Sequence, residues 1–275
     1  AYLPPELIEQ YQIAVIPHRI KVGSAIFEED ETLTADEVFE KQQALQTRDI
    51  SKLPKLLPAD TNTVLDIYQE VGRETEQIVS IHMSSELSGM WQEASRAADM
   101  MKGRYTIRVI DSLSTSYGQG LLVRMAAEAA EAGADVVEIA RSVNGAVPHL
   151  YASIFAESLY YLERCTQIGP SQSLLGSLLG IKAMLMMEDG QLLPLEKVQT
   201  REDVVEKLHT FVVEFASIEG IGIVQHRYEE TADSLVERLQ ESMPDVNIEI
   251  VPYPPSLACH LGPNVVGVIV YEGVY

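Results

Sequence analysis

With 275 residues, of which 46% are hydrophobic and 22% charged, the chain has enough apolar material for full cores and too much of it for long disordered stretches. A formal net charge of −21 produces a field that repels phosphate backbones and anionic lipid surfaces, which argues against nucleic-acid partners and peripheral membrane binding. No long unbroken apolar run and no basic-then-apolar leader is present, so a cytoplasmic protein without stable membrane insertion is expected. The length exceeds that of an ordinary single core, and two domains are expected, over 1–150 and 151–275. The two cysteines, Cys165 and Cys259, have no zinc-ligand spacing and fit a reducing compartment.

In chain order, Gln12 to Val22 reads as a strand, and Thr34-Ala35-Asp36-Glu37 has capping-box spacing before an amphipathic helix through Leu45. After a loop at Pro54 to Asp60, Val64, Leu65, Ile67, Tyr68 and Val71 recur at helical spacing, and Gln77 to Ile81 reads as a short strand. A helix near Met90 to Met101, a strand at Tyr105 to Ile110 and a helix from about Gly118 to Ala132 follow. This βαβα order predicts a mainly parallel sheet covered on both faces in a three-layer α/β/α domain, with ligand loops at the carboxyl ends of its strands.

Beyond Pro148 the pattern changes. Tyr151 to Phe155 reads as a strand, Ser171 to Gly180 as a helix, and Glu188-Asp189-Gly190 as the turn of a hairpin joining Ile181–Met187 to Gln191–Val198. A helix near 200–216, a strand at Ile221 to Val224, a helix at Thr231 to Met243 and strands at Ile248–Val251 and Val265–Tyr271 complete an α/β domain with a mixed sheet.

Three polar stretches could carry chemistry. His82-Met83-Ser84-Ser85-Glu86-Leu87-Ser88-Gly89 places hydroxyls between a strand and a helix, where free N–H groups and the helix dipole favour an anionic head group; the same serines serve equally well as helix caps. Cys259-His260-Leu261-Gly262-Pro263 puts a histidine in a turn between two strands. Asp111-Ser112-Leu113-Ser114-Thr115-Ser116 follows a third strand and also reads as cap and turn residues. Together they allow a serine hydrolase, with Ser84 or Ser85 as nucleophile, His260 as base and Asp111 as orienter, although no nucleophile elbow, P-loop or zinc motif accompanies them.

The same stretches resemble the DegV family nearly end to end. Ser84-Ser85-Glu86-Leu87-Ser88-Gly89 is similar to that family's Ser-Ser-x-Leu-Ser-Gly-Thr loop, Val109-Ile110-Asp111-Ser112 to its Val-Ile-Asp-Ser, and His260-Leu261-Gly262-Pro263 to its His-x-Gly-Pro. Leu174 to Lys182, and Glu188-Asp189-Gly190 through Lys197, resemble further family segments. The resemblance implies two α/β domains with a long-chain fatty acid between them. It implies a carboxylate held near Ser84, Ser85, Ser88, Gly89, His260 and Gly262, no metal, and no cofactor beyond the bound fatty acid. It further implies no catalytic residue, and a fatty acid kinase as partner, with Arg201 in its engagement.

Three departures stand out. Leu56 occupies the place of the family's hydroxyl donor, Arg164-Cys165-Thr166-Gln167-Ile168 stands where the family has Arg-Gly-Gly-Arg-Ile, and Ala1-Tyr2-Leu3-Pro4-Pro5 opens where the family has passed its first strand. The alternatives are a divergent member binding another amphiphile or no lipid, and the hydrolase.

Overall fold

The computed structural model describes residues 2–30, 32–46, 49–163, 176 and 182–273. The first half runs α1 (Pro5–Gln10), β1 (Arg19–Val22), β2 (Ala25–Glu28), α2 (Ala35–Gln43), β3 (Lys55–Leu57), α3 (Thr61–Val71), β4 (Gln77–His82), α4 (Met90–Met100), β5 (Thr106–Asp111), α5 (Ser116–Glu131) and α6 (Val136–Ala146). The second half runs β6 (Leu150–Ala156), α7 (Leu159–Leu162), β7 (Lys182–Glu188), β8 (Gln191–Val198), α8 (Arg201–Val213), β9 (Ile218–His226), α9 (Glu229–Ser242), β10 (Ile248–Val251), α10 (Pro255–Leu261) and β11 (Val265–Glu272).

Local chemistry sets many of these boundaries. Thr34, Asp135 and Thr200 each accept an N–H from the first turn of α2, α6 and α8, and the acid three residues on returns a bond to the cap's own N–H. In β11 alternation decides the layers: Val266, Val268 and Val270 face the core under α8 and α9, while Val265 and Ile269 face a second core shared with the first half. That second core joins Phe39, Leu53, Met83 and Leu87 to Ile154, Leu185, Leu257 and Leu261.

The chain forms a mixed α/β fold. The C-terminal sheet has six strands in the order β10-β9-β11-β6-β7-β8, parallel only between β10 and β9. In the first half β4 and β5 form a parallel pair, with α3 and α4 packed on one face and α5 and α6 on the other. A three-stranded antiparallel sheet, β2-β1-β3, stands beside it. The halves interlock where the Tyr117 ring lies across β9: a Cβ on Gly222 would sit 2.2 Å from Tyr117 Cγ, so only glycine admits that approach.

Several expectations need correction. The strand expected over 12–22 is paired only at Arg19–Val22, because Gln12 turns with φ +51° and residues 13–18 run without ladder partners. Cys259 and His260 lie in the helix α10 and not in a turn between strands; Pro255 at its first turn starts the helix, and Gly262, at φ +79°, ends it. Helices α1 and α6 and the short strands β2 and β3 have no counterpart among the expected elements. The expected helix at 171–180 falls outside the described residues apart from Gly176, as do Arg164 and Cys165.

Candidate functional site

The 83–89 loop leaves the carboxyl end of β4 and enters α4, as the strand–helix order requires. Its three serines have different surroundings. Ser84 is fully buried: its hydroxyl donates to the Gly190 carbonyl in the β7–β8 turn (2.7 Å), and its N–H donates to Ser114 O (2.9 Å). Gly190 has φ +79°, and a Cβ there would lie 2.3 Å from Ser84 Oγ. Ser84 therefore fastens the loop to the second half, and its only proton is committed to that carbonyl.

Ser85 offers its N–H to the Asp111 carboxylate (3.2 and 3.3 Å), which also accepts from Leu113 N–H (3.0 Å). Asp111 thus braces two loops through backbone amides. Ser84 spends its proton on a carbonyl, and Asp111 accepts from two backbone amides.

Ser88 is buried, accepts the Met90 N–H (3.2 Å) at the start of α4, and lies 2.9 Å from His18 Nε2. His18 Nδ1 faces Glu29 Oε2 at 3.5 Å, and Glu29 Oε1 accepts Ser256 N–H (2.7 Å) in the first turn of α10. Burial works to raise the Glu29 pKa, but the bond and charge of His18 and the Ser256 amide outweigh it and hold the carboxyl below its usual range. Pro58 meets Gly89, at 3.2 Å from where a Cβ would stand, and its carbonyl takes two N–H groups of Arg19 (3.1 and 2.7 Å). Leu56 pairs with Ile20 in the ladder and packs beneath α10, against both the shared core and the cluster holding Cys259.

His260 is half-buried in the last turn of α10, four residues from Ser256 and so on the same helix face. Gly262 accepts the Tyr253 hydroxyl on its carbonyl (2.8 Å) and leaves no room for a Cβ beside the Tyr161 ring. One corner therefore gathers Ser88, Gly89, Pro58, Leu56 and α10, whereas Ser84 and Ser85 turn toward Gly190 and Asp111. Arg201 lies elsewhere, at the start of α8, stacked over the Tyr228 ring at 5.0 Å and 3.4 Å from Glu230. His18 and Glu29 are absent from the sequence-derived site because they belong to no motif and meet only where β1 and β2 pair.

A separate cleft of about 560 Å³ lies beside β4, which pairs only with β5 among the described residues; Ile13 to Ile16, His18, Val79, Ile81, His82, Val123 and Ala126 line it. His82 is buried and bonded to Ser80 (2.8 Å); burial, with His18 nearby, pushes its pKa down to about 3, so it is neutral. The Gln119 carboxamide is buried there with Oε1 lacking a partner among the described residues. Its Nε2 donates to the Ile81 carbonyl (3.2 Å), in a lining that is otherwise mainly aliphatic. Among the described residues no group of three or more His, Cys, Asp or Glu could hold a metal ion, and no helix is long and apolar enough to cross a membrane.

The DegV family model, described as "uncharacterised protein, DegV family", matches residues 1–273, and the chain belongs to that family. A DegV domain-containing protein of Streptomyces coelicolor is 28% identical over 274 residues, covering 98% of this chain and 95% of the relative. The fold is shared with a fatty-acid-binding DegV family protein of Streptococcus agalactiae (TM-score 0.87, 24% identity, 100% and 96% of the two chains). It is also shared with the Streptococcus pneumoniae fatty acid kinase B3 protein loaded with linoleic acid (TM-score 0.79, 20% identity, 94% and 90%).

Proposed function

We propose that this chain is a non-catalytic carrier that binds one long-chain fatty acid between an N-terminal domain of residues 1–150 and a C-terminal domain of 151–275. The carrying observation is the corner where the Ser88-Gly89 turn, Pro58 and α10 converge beside an apolar core shared by both halves. A carboxylate there meets the positive end of α4, with Ser88 as hydroxyl donor and His260 on the facing helix. Family membership and the ligands named for the streptococcal relatives support the reading. Ser84 and Ser85 serve as its supports. Presentation to a fatty acid kinase, with Arg201 at that contact, is part of the same proposal and draws on the pneumococcal relative.

Magnitudes favour a tail-dominated site. Burying roughly 14–16 methylenes at about 0.8 kcal/mol each yields on the order of 12 kcal/mol before the costs of association. The hydroxyl absent at Leu56 removes a bond to a charged head worth about 1.5–3 kcal/mol. Head-group selectivity should weaken while tail binding persists.

Ser88, His18 and Glu29 also stand in the order of a hydrolase triad, with Nε2 toward the serine and Nδ1 toward the acid, which favours acyl-ester hydrolysis as a second reading. Against it, Ser88 is buried and its oxygen already accepts an amide. Native mass spectrometry of the purified protein, with extraction of anything bound, decides between them. One fatty acid per chain and no turnover of acyl esters supports the carrier, ester turnover abolished by Ser88→Ala supports the hydrolase, and neither result rejects both.

A further inference from the structure

The Ser88–His18–Glu29 chain bears on how a carboxylate is recognised, a role that rests on the chain being a fatty-acid carrier. A serine oxygen has two lone pairs and one proton, and Met90 N–H occupies one lone pair of Ser88. The 2.9 Å contact to His18 Nε2 then has two arrangements. With His18 neutral and its proton on Nδ1 toward Glu29, Nε2 is an acceptor and takes the only proton of Ser88. The other neutral tautomer would face the bare Nδ1 lone pair onto the Glu29 carboxylate, which is repulsive. With His18 protonated, Nε2–H donates into the second lone pair of Ser88, and the hydroxyl proton is released. An ionised carboxylate only accepts hydrogen bonds, so it engages Ser88 in the second arrangement alone.

We propose that His18 is a positioning residue which, braced by Glu29, sets the direction of the Ser88 hydroxyl and so couples recognition of an acidic head group to its own protonation. The groups facing His18 agree with this role. Glu29 stands 3.5 Å from Nδ1, and the Ser256 amide helps keep that carboxylate charged. His82, lining the same cleft, is neutral and adds no competing charge. Arg19, the next residue, directs its guanidinium away to Pro58 O and toward Asp60. By linkage, an acidic ligand raises the proton affinity of His18 as much as the proton raises affinity for the ligand.

The test uses the full chain, with hexadecyl sulfonate, which stays charged throughout, and hexadecanol, which reports the tail site alone. Affinities are measured between about pH 5.5 and 8.5, a span that brackets the usual histidine range. For the wild type the preference for sulfonate over alcohol should fall by about ten-fold or more as pH rises, the worth of one hydrogen bond to a charged group. His18→Gln, whose amide donates at every pH, should keep the preference and flatten the profile. Glu29→Gln should alter the profile, since Nδ1 loses its charged partner. A pH dependence that survives in His18→Gln, or a flat wild-type profile with both ligands bound, overturns the role of His18. Failure of the wild type to bind either amphiphile overturns the carrier reading itself.

Discussion

Ser84 is the most exacting place to separate a fastener from a ligand contact. Replacing it by Ala removes a fully buried hydroxyl and strands the Gly190 carbonyl, at a cost of about 1–3 kcal/mol. Gly190→Ala attacks the same junction from the other side: its Cβ would sit 2.3 Å from Ser84 Oγ and 3.1 Å from Leu113 Cδ2, at a backbone φ of +79°. The left-handed conformation costs roughly 1–2 kcal/mol and the displaced bond a further 1–3, so the single change should destabilise by about 2–5 kcal/mol. For a chain of this size that corresponds to a Tm loss of roughly 4–20 °C. In the double variant the clash with Oγ is gone and the alanine meets Leu113 Cδ2 at 3.1 Å and the Cβ at 84 at 3.3 Å, so the two losses should fall short of additive by about 1 kcal/mol or more. Thermal and urea unfolding of the two singles and the double supply the cycle, and acid-against-alcohol affinity supplies the second readout. Strict additivity, or a lost head-group preference in Ser84→Ala with stability unchanged, would show that Ser84 is a ligand contact and that this assignment is wrong.

Ser88→Ala should leave fatty-alcohol affinity within about two-fold of wild type and lower fatty-acid affinity by about ten-fold or more, read by titration calorimetry. Leu56→Thr should raise the acid-over-alcohol preference by a similar factor while costing about 1–2 kcal/mol of stability from lost packing, read by the same titration and by urea unfolding. His82 has a folded pKa depressed from 6.5 to about 3, so the unfolded chain takes up its proton first; stability from this group is complete above about pH 6.5 and drains as pH falls toward 3. His82→Asn should remove that part of the acid-side loss, on the order of a few kcal/mol, from a urea-unfolding series against pH. The Glu29 carboxyl, also depressed from 4.5, begins to lose its contribution only as pH falls through that value, so of the two groups His82 alone accounts for the loss between about pH 6.5 and 4.5. Amides of β4 that do not pair with β5 should exchange with deuterium well ahead of those in β11, which is paired on both sides.

Much of the scaffold is legible in the sequence because single-segment signals agree with it. The capping boxes at Thr34 and Thr200, the Asp189-Gly190 turn and the apolar run of β11 each name their own structure without reference to distant residues. Helix α10 is not legible, because Pro254-Pro255 followed by only three consecutive apolar residues, Leu257-Ala258-Cys259, looks like a turn between strands, and its packing on α7, α2, β1 and β3 lies far off in the sequence. The serine loop stands out in the sequence, but its division of labour is hidden there. Ser84 is settled by a carbonyl 106 residues away, and Ser88 by a histidine 70 residues away. His18 and Glu29 become neighbours through the β1–β2 hairpin, whose Gly23 turn (φ +61°) is the one local clue available.

The trough beside β4 also governs how the molecule behaves in a crowd. Natural sheets guard an unpaired flank with lysine, proline or a bulge, yet Gln77 to His82 contains no acidic residue, lysine, arginine or proline, and among the described residues its second flank meets no strand, only the Gln119 amide at Ile81 O. Such a flank is a template for whichever extended segment reaches it first, a neighbouring molecule's included. The charge of −21 holds molecules apart at low ionic strength, and added salt screens that repulsion while leaving the template in place. Salting should therefore drive strand-mediated association, and one lysine set into β4 at Val79 should suppress it.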